Sequence, residues 1–184
     1  ASFKADTRIG PLDLKKGINS LIRYPVVIRD CCQVNDDFHA QYSARSKEYR
    51  YVILNREDPL AIGRDFVWHI RHPLDLLMMN RCCESLVGTH DFKSFENTGS
   101  PRTSTIRHVF WAQMDSTEDD RLVFKICATG FLKNMVRNIM GTLVDAGLGK
   151  IAPETFDSVL KGRDRRLAGA TAPARGLFLY RVNY

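Results

Sequence analysis

Hydrophobic positions along the chain follow two periods. From Phe131 to Val144 they recur at helical spacing, and Phe131, Leu132, Met135, Val136, Ile139, Met140, Leu143 and Val144 share one wide apolar stripe. This helix is expected to end near Gly147 to Gly149. From Tyr49 to Leu54 the pattern alternates instead, with Tyr49, Tyr51 and Ile53 on one face and Arg50, Val52 and Leu54 on the other, which is the period of a strand. Pro11 and Asp13 open a helix through Leu21 that Gly17 weakens. Pro73 at a first-turn position, Leu74, Leu77, Met78 and Leu86 in register, and Gly88 beyond them predict a helix over 73–87. Arg107 to Met114 and Leu122 to Thr129 read as strands joined by the acidic turn Asp115 to Asp120, hence a hairpin. The β-branched run from Pro25 to Asp30 predicts a further strand, Pro153 a helix to about Lys161, and Leu177 to Val182 a closing strand. Gly88 to Thr105 is polar and reads as a long loop of the kind that often carries function. Ala1 to Lys4 reads as the tail of a strand, and with no Met at the start the chain is expected to be a fragment or a processed product.

Paired strands separated by helices argue for an α+β fold, a largely antiparallel sheet packed by helices, because parallel crossovers would need strict strand-helix alternation. With 184 residues, 44% hydrophobic and 26% charged, and with no repeat or linker, the chain is expected to fold as a single domain over 1–184. The net charge of +6 fits a polyanion partner, although so modest a surplus also occurs in proteins that never meet nucleic acid. Five cysteines include the adjacent pairs Cys31-Cys32 and Cys82-Cys83, and neither offers the two-residue gap typical of zinc sites. They read as buried reduced thiols. No apolar run approaches the roughly 20 residues of a membrane span, so a cytoplasmic protein without a membrane partner is expected.

Candidate chemistry centres on Arg137, at the edge of the long apolar stripe, with Lys133 one turn earlier. Like charges four residues apart repel by about 0.2–0.5 kcal/mol in a bare helix, so a carboxylate or a phosphate would suit the pair. The alternative is a snorkelling arginine with a packed stem and a wet head. Tyr49 and Tyr51 lie among Arg45, Lys47 and Arg50, and aromatic faces beside cations suit unpaired RNA bases and their phosphates. A half-buried strand with wet phenols explains the same letters. Arg102, Arg107 and His108 border the polar loop, where such cations are usually just solvated, and Lys161 to Arg166, following the helix that Pro153 begins, could touch a phosphate backbone or be the cations an ordinary helix C-terminus favours. Phosphate-loop, His-Glu-x-x-His and Gly-x-Ser-x-Gly patterns do not occur. His90, Asp91 and Ser94 supply triad letters, but Asp91 reads as a turn cap, and His69 and His72 are too scattered to suggest a metal.

Five motifs in order carry a family resemblance. They are Phe38-His39-Ala40 leading through Ser43-Ala44 to Tyr49-Arg50-Tyr51; Gly88-Thr89-His90-Asp91-Phe92-Lys93-Ser94-Phe95; Arg102-Thr103; Phe131 with Met135-Val136-Arg137-Asn138-Ile139 and Gly141; and Arg165-Arg166-Leu167-Ala168-Gly169-Ala170-Thr171-Ala172-Pro173-Ala174 with Gly176-Leu177-Phe178-Leu179. Together they resemble bacterial tRNA pseudouridine synthases of the TruA type. The resemblance implies a pseudouridine synthase fold lacking its N-terminal part, the chain being the C-terminal portion of the catalytic domain. It implies an isomerase that converts uridine to pseudouridine in the anticodon stem-loop of tRNA, without metal or organic cofactor, as a homodimer. An aspartate in a Gly-Arg-Thr-Asp motif attacks the flipped nucleotide in that family, and these 184 residues contain no such motif. The chain is therefore expected to lack the nucleophile and to be inactive alone. By the same resemblance Tyr49 stacks on the target base and Arg137 pairs with the catalytic aspartate. Arg45, Lys47, Arg50, Arg102, Arg107 and Lys133 are the candidate RNA contacts. Gln41 stands where the family commonly has arginine after Phe-x-Ala. The rival reading is a noncatalytic RNA-binding module, although Lys47 to Val52 lacks the glycines of the ribonucleoprotein signature.

Overall fold

The alternating run around Tyr49 becomes β1, Ser46–Asn55, the strand on which the sheet is assembled. The computed structural model describes residues 1–99 and 103–184. Along one edge β1 pairs antiparallel with β5, Arg121–Ala128, which pairs with β4, Ile106–Ser116, and β4 with β3, Gly88–Asp91. Its other edge is divided. The N-terminal half, Ser46 to Tyr51, takes β6, Leu177–Asn183, antiparallel, while Ile53 to Asn55 takes β2, Trp68–Ile70, in parallel. The result is a six-stranded, mostly antiparallel sheet packed by helices, as the pairing of strands in the sequence predicts.

The helices are α1, Pro11–Leu21; α2, Leu76–Glu84; α3, Met135–Gly147; and α4, Pro153–Gly162. The apolar stripe of α3 understates its burial, for every residue of the helix except Arg137 and Asp145 is buried. It packs in one core with Tyr51, Ile53, Phe124 and Ile126 of the sheet, Met79, Cys82 and Cys83 of α2, and Phe156, Val159 and Leu160 of α4. Phe95 stacks on Phe156 with ring centroids 5.7 Å apart. Among the described residues no helix is long and apolar enough to cross a membrane.

Contacts within the chain gather into two units, Ala1–Ala44 and Arg45–Tyr184. In the first unit α1 buries none of its residues. The strand expected over Pro25 to Asp30 does not form, because the side-chain amide of Asn19 occupies both the N–H (2.7 Å) and the carbonyl (2.9 Å) of Ile28. Ala1 to Lys4 is likewise irregular. The helix expected over 73–87 is shorter at its start because Asp75 caps it, accepting from the Met78 N–H at 3.0 Å. Cys82, Cys83 and Cys127 are buried as expected, but Cys31 is only half-buried and Cys32 is exposed. Burial pushes the Cys82 thiol up to about 11 and that of Cys83 higher still.

A backbone contact tests the close packing of α3. A Cβ built on Gly141 would overlap the carbonyl of Ala170, whereas Gly17 in α1 has open space around it. Gly141→Ala is expected to destabilise by about 1–3 kcal/mol, while Gly17→Ala gains roughly 0.5–1 kcal/mol of helix propensity. Urea unfolding of the two variants measures both.

Candidate active site around Arg137

After β5 the chain passes Gly130 and turns through Asn134, which adopts the left-handed conformation with φ 61° immediately before α3. Left-handed geometry denies Asn134 the usual capping role, and its Oδ1 instead accepts from Arg137 Nη1 at 3.1 Å. Arg137 thus sits in the first turn of α3, where the helix dipole disfavours a cation and favours an anion. Its Nε donates to the carbonyl of Ala172 at 2.6 Å, and the Ala172 N–H donates back to the Arg137 carbonyl at 3.1 Å. Two of the five guanidinium N–H groups are engaged among the described residues, none with a carboxylate.

Ala172 belongs to a strap, residues 168–176, that is tied down along its length. Buried Asn138 of α3 is the hub. Its amide nitrogen donates to the carbonyls of Phe95 (2.8 Å) and the Asn97 side chain (2.9 Å), and its oxygen accepts from Thr171 (2.6 Å) and Arg165 (3.1 Å). Arg165 reaches Thr171 and the Ala168 carbonyl as well, each at 3.1 Å. One residue past Ala172, the Pro173 carbonyl accepts from the Tyr51 hydroxyl at 2.6 Å. Gly176 then lies flat on the Tyr51 ring, where a Cβ would stand 2.7 Å from two ring carbons. Burial pushes the Tyr51 phenol far above its ordinary value, while the nearby charges of Arg137 and Arg175 pull it the other way.

On the same face of β1, half-buried Tyr49 meets Phe131 edge-on, with ring centroids 4.9 Å apart, so the strand and the turn into α3 share an aromatic contact. Leu179 of β6 faces Tyr49 across the ladder and is 52% exposed. An aromatic platform, an apolar neighbour and an arginine held by neutral acceptors therefore lie on one side of the sheet.

The chain is similar to known proteins over its whole length. Residues 82–184 match a family model described as tRNA pseudouridine synthase. The whole chain is 43% identical to tRNA pseudouridine synthase A of Thermoanaerobacter sp. (strain X514) and 40% identical to that of Acetivibrio thermocellus, in each case covering 75% of the relative. The protein of the same name from Chlamydia trachomatis is 42% identical over 95% of this chain and 65% of its own length. The chain belongs to the tRNA pseudouridine synthase family.

Within this synthase chain the sequence-predicted residues divide by face. Tyr49 and Arg137 are brought to one side, at the junction of β1 and α3. Lys133 stands one turn before Arg137 and donates to the Thr98 carbonyl at 3.3 Å. Arg107 runs beside Gly130 and donates to the carbonyls of Ser104 (3.0 Å) and Ile106 (2.6 Å), so both border the turn into α3. Arg50 lies on the opposite face, where it pairs with Glu48 at 3.0 Å and covers the Tyr180 ring at 3.3 Å. Lys47 is half-buried on β1, and Arg45 is exposed with its N–H on the Asn183 carbonyl. Arg102 lies outside the described residues. Gln41 is exposed, its N–H donating to His39 Nδ1 at 3.1 Å.

The basic run after α4 is largely neutralised within the chain. Lys161 pairs with Asp157, Arg163 with Asp91 and Arg166 with Asp164. The triad letters are also dispersed into local bonds, since Asp91 accepts from Lys93 and Thr105, His90 contacts the Val87 carbonyl, and Ser94 accepts from Asp164. The sequence marks Tyr51 as an aromatic candidate beside cations, and Asn138, Arg165 and Thr171 only as letters of family motifs, not as the residues that hold the strap. Only Asn138, an amide inside an apolar helix, signals its role there.

Tyr51 supplies a pH test. Its unfolded phenol ionises near 10.0 and its folded phenol well above that, so stability is fully present below 10 and declines as pH rises through it. Tyr51→Phe is expected to cost about 0.5–1.5 kcal/mol at neutral pH through the lost hydrogen bond and to flatten the alkaline decline. Urea midpoints between pH 8 and 11 record both effects.

Proposed function

We propose that residues 1–184 form the base-receiving and carboxylate-orienting part of a tRNA pseudouridine synthase that acts in the anticodon stem-loop. Arg137 carries the reading: its guanidinium is fixed at Nε and Nη1 by neutral oxygens, leaving N–H groups to meet a carboxylate that none of the described residues places there. The Gly-Arg-Thr-Asp aspartate of the family, absent from these residues, supplies that group. A guanidinium beside it favours the ionised form and keeps it nucleophilic at neutral pH. The target uridine leaves the stack and lies against Tyr49. The carboxylate takes C1′ as the N1–C1′ bond breaks, the base turns, C5 displaces the carboxylate to form the C5–C1′ bond, and the C5 proton passes to solvent while N1 takes up one in its place. Arg107 and Lys133 flank the approach and suit backbone phosphates. The resemblance further supports a cytoplasmic homodimer working without metal or organic cofactor, with this chain inactive alone.

In the gene product that carries the Gly-Arg-Thr-Asp segment, Arg137→Ala is expected to lower turnover by on the order of 100-fold or more, the scale set by misplacing a reacting group. Tyr49→Ala loses about 1–3 kcal/mol of base stacking, most of which Tyr49→Phe retains. Tritium release from tRNA labelled at uridine C5 reads all three variants. Undiminished release by Arg137→Ala would refute the role of the arginine, and tRNA binding without release by the unmutated protein would favour a noncatalytic module.

A further inference from the structure

The strap presents a second cation that the catalytic reading leaves unused. Two hydrogen bonds and one close contact fix the strap beside β1: Arg137 to the Ala172 carbonyl, Tyr51 to the Pro173 carbonyl, and Gly176 against the Tyr51 ring. Arg175 projects from the single turn, Ala174–Gly176, that lies between the last two. It is exposed and forms no ion pair among the described residues. Its charge nevertheless acts on the Tyr51 hydroxyl, as that of Arg137 does from α3. Arg175 thus sits three residues after the Ala172 carbonyl that Arg137 holds, in the turn that covers the Tyr51 ring, and neither arginine pairs with a carboxylate among the described residues. The proposed function supplies an anion for Arg137 and none for Arg175.

We propose that Arg175 binds a backbone phosphate of the tRNA next to the target nucleotide. The inference rests on the reading of Arg137 as the partner of the nucleophile. A phosphodiester fits because a guanidinium fork can donate two parallel hydrogen bonds to its oxygens. Turning a nucleotide out of the stack also swings its flanking phosphates toward the rim of the pocket that receives the base.

The test uses the full gene product with Arg175→Gln and Arg175→Lys, measuring tRNA affinity by filter binding across a KCl series. Loss of one phosphate contact is expected to make the slope of log K against log [KCl] shallower by about 0.7–0.9 in Arg175→Gln, with a raised KM, and Arg175→Lys is expected to restore the slope. A slope equal to that of the unmutated protein overturns the proposal, whether or not the unfolding midpoint moves. A fall in kcat at unchanged KM also overturns it, by assigning Arg175 to the chemical step. Binding is read without turnover, so a protein that binds tRNA but makes no pseudouridine counts against the Arg137 reading while the slope still decides on Arg175.

Discussion

The reciprocal clamp between Arg137 and Ala172 is the contact on which the site depends. A cation in the first turn of a nearly fully buried helix is disfavoured by the dipole and by desolvation. It persists because neutral oxygens hold the guanidinium by Nε and Nη1 while its remaining edge stays open. Fixing that edge requires that the strap be fixed first, and the strap has no regular secondary structure of its own beyond single turns. Its order comes from Arg165, which holds Ala168 and Thr171, from Asn138, which also holds Thr171, and from Tyr51, which holds Pro173. Gly141 and Gly176 add the constraint of shape, since neither position has room for a side chain. The orientation of one guanidinium is thus a property of three elements at once.

The sheet contributes by alternation. Because β1 is paired on both edges, its residues cannot rotate out of register, and the pleat sends Tyr49 and Tyr51 toward α3 while Glu48 and Arg50 go the other way. The two tyrosines then do different work. Tyr51 is sealed under the strap and anchors it, whereas Tyr49, two residues nearer the strand's start, keeps part of its ring exposed beside Phe131 and Leu179.

Elements specified by local periodicity were legible in the sequence. The stripe of α3, the alternation of β1, the hairpin of β4 and β5, and the proline-initiated α1 and α4 all form close to their expected bounds. Elements specified by distant partners were not. The strands β2 and β3 are too short to show a period and exist through pairing with β1 and β4. Pro25 to Asp30 has strand composition, but the Asn19 amide takes the backbone groups of Ile28 that a ladder would need. In the site, Tyr49 and Arg137 could be named from motif and stripe, but the strap could not, since its course is set by hydrogen bonds from residues up to 122 positions away. Arg50 shows the complementary limit: its letters suit RNA, and only the pleat reveals that it pairs with Glu48 and covers Tyr180.

That last case sharpens what net charge can say. A surplus of +6 is weak because it does not distinguish cations that are neutralised from those that are not. Arg50, Arg163, Arg166 and Lys161 all have carboxylates within the fold, so the most basic run of the sequence is not the most demanding of an anion. Among the described residues Arg137, Lys133 and Arg107 donate to neutral oxygens and to no carboxylate, and Arg175 forms no ion pair. Arg137, Lys133 and Arg107 lie in or beside the turn into α3, and Arg175 lies in the strap that Arg137 holds. Among the described residues these four cations have no carboxylate of their own, so the turn into α3 and the strap beside it are one region where an anion would lower the energy of the fold.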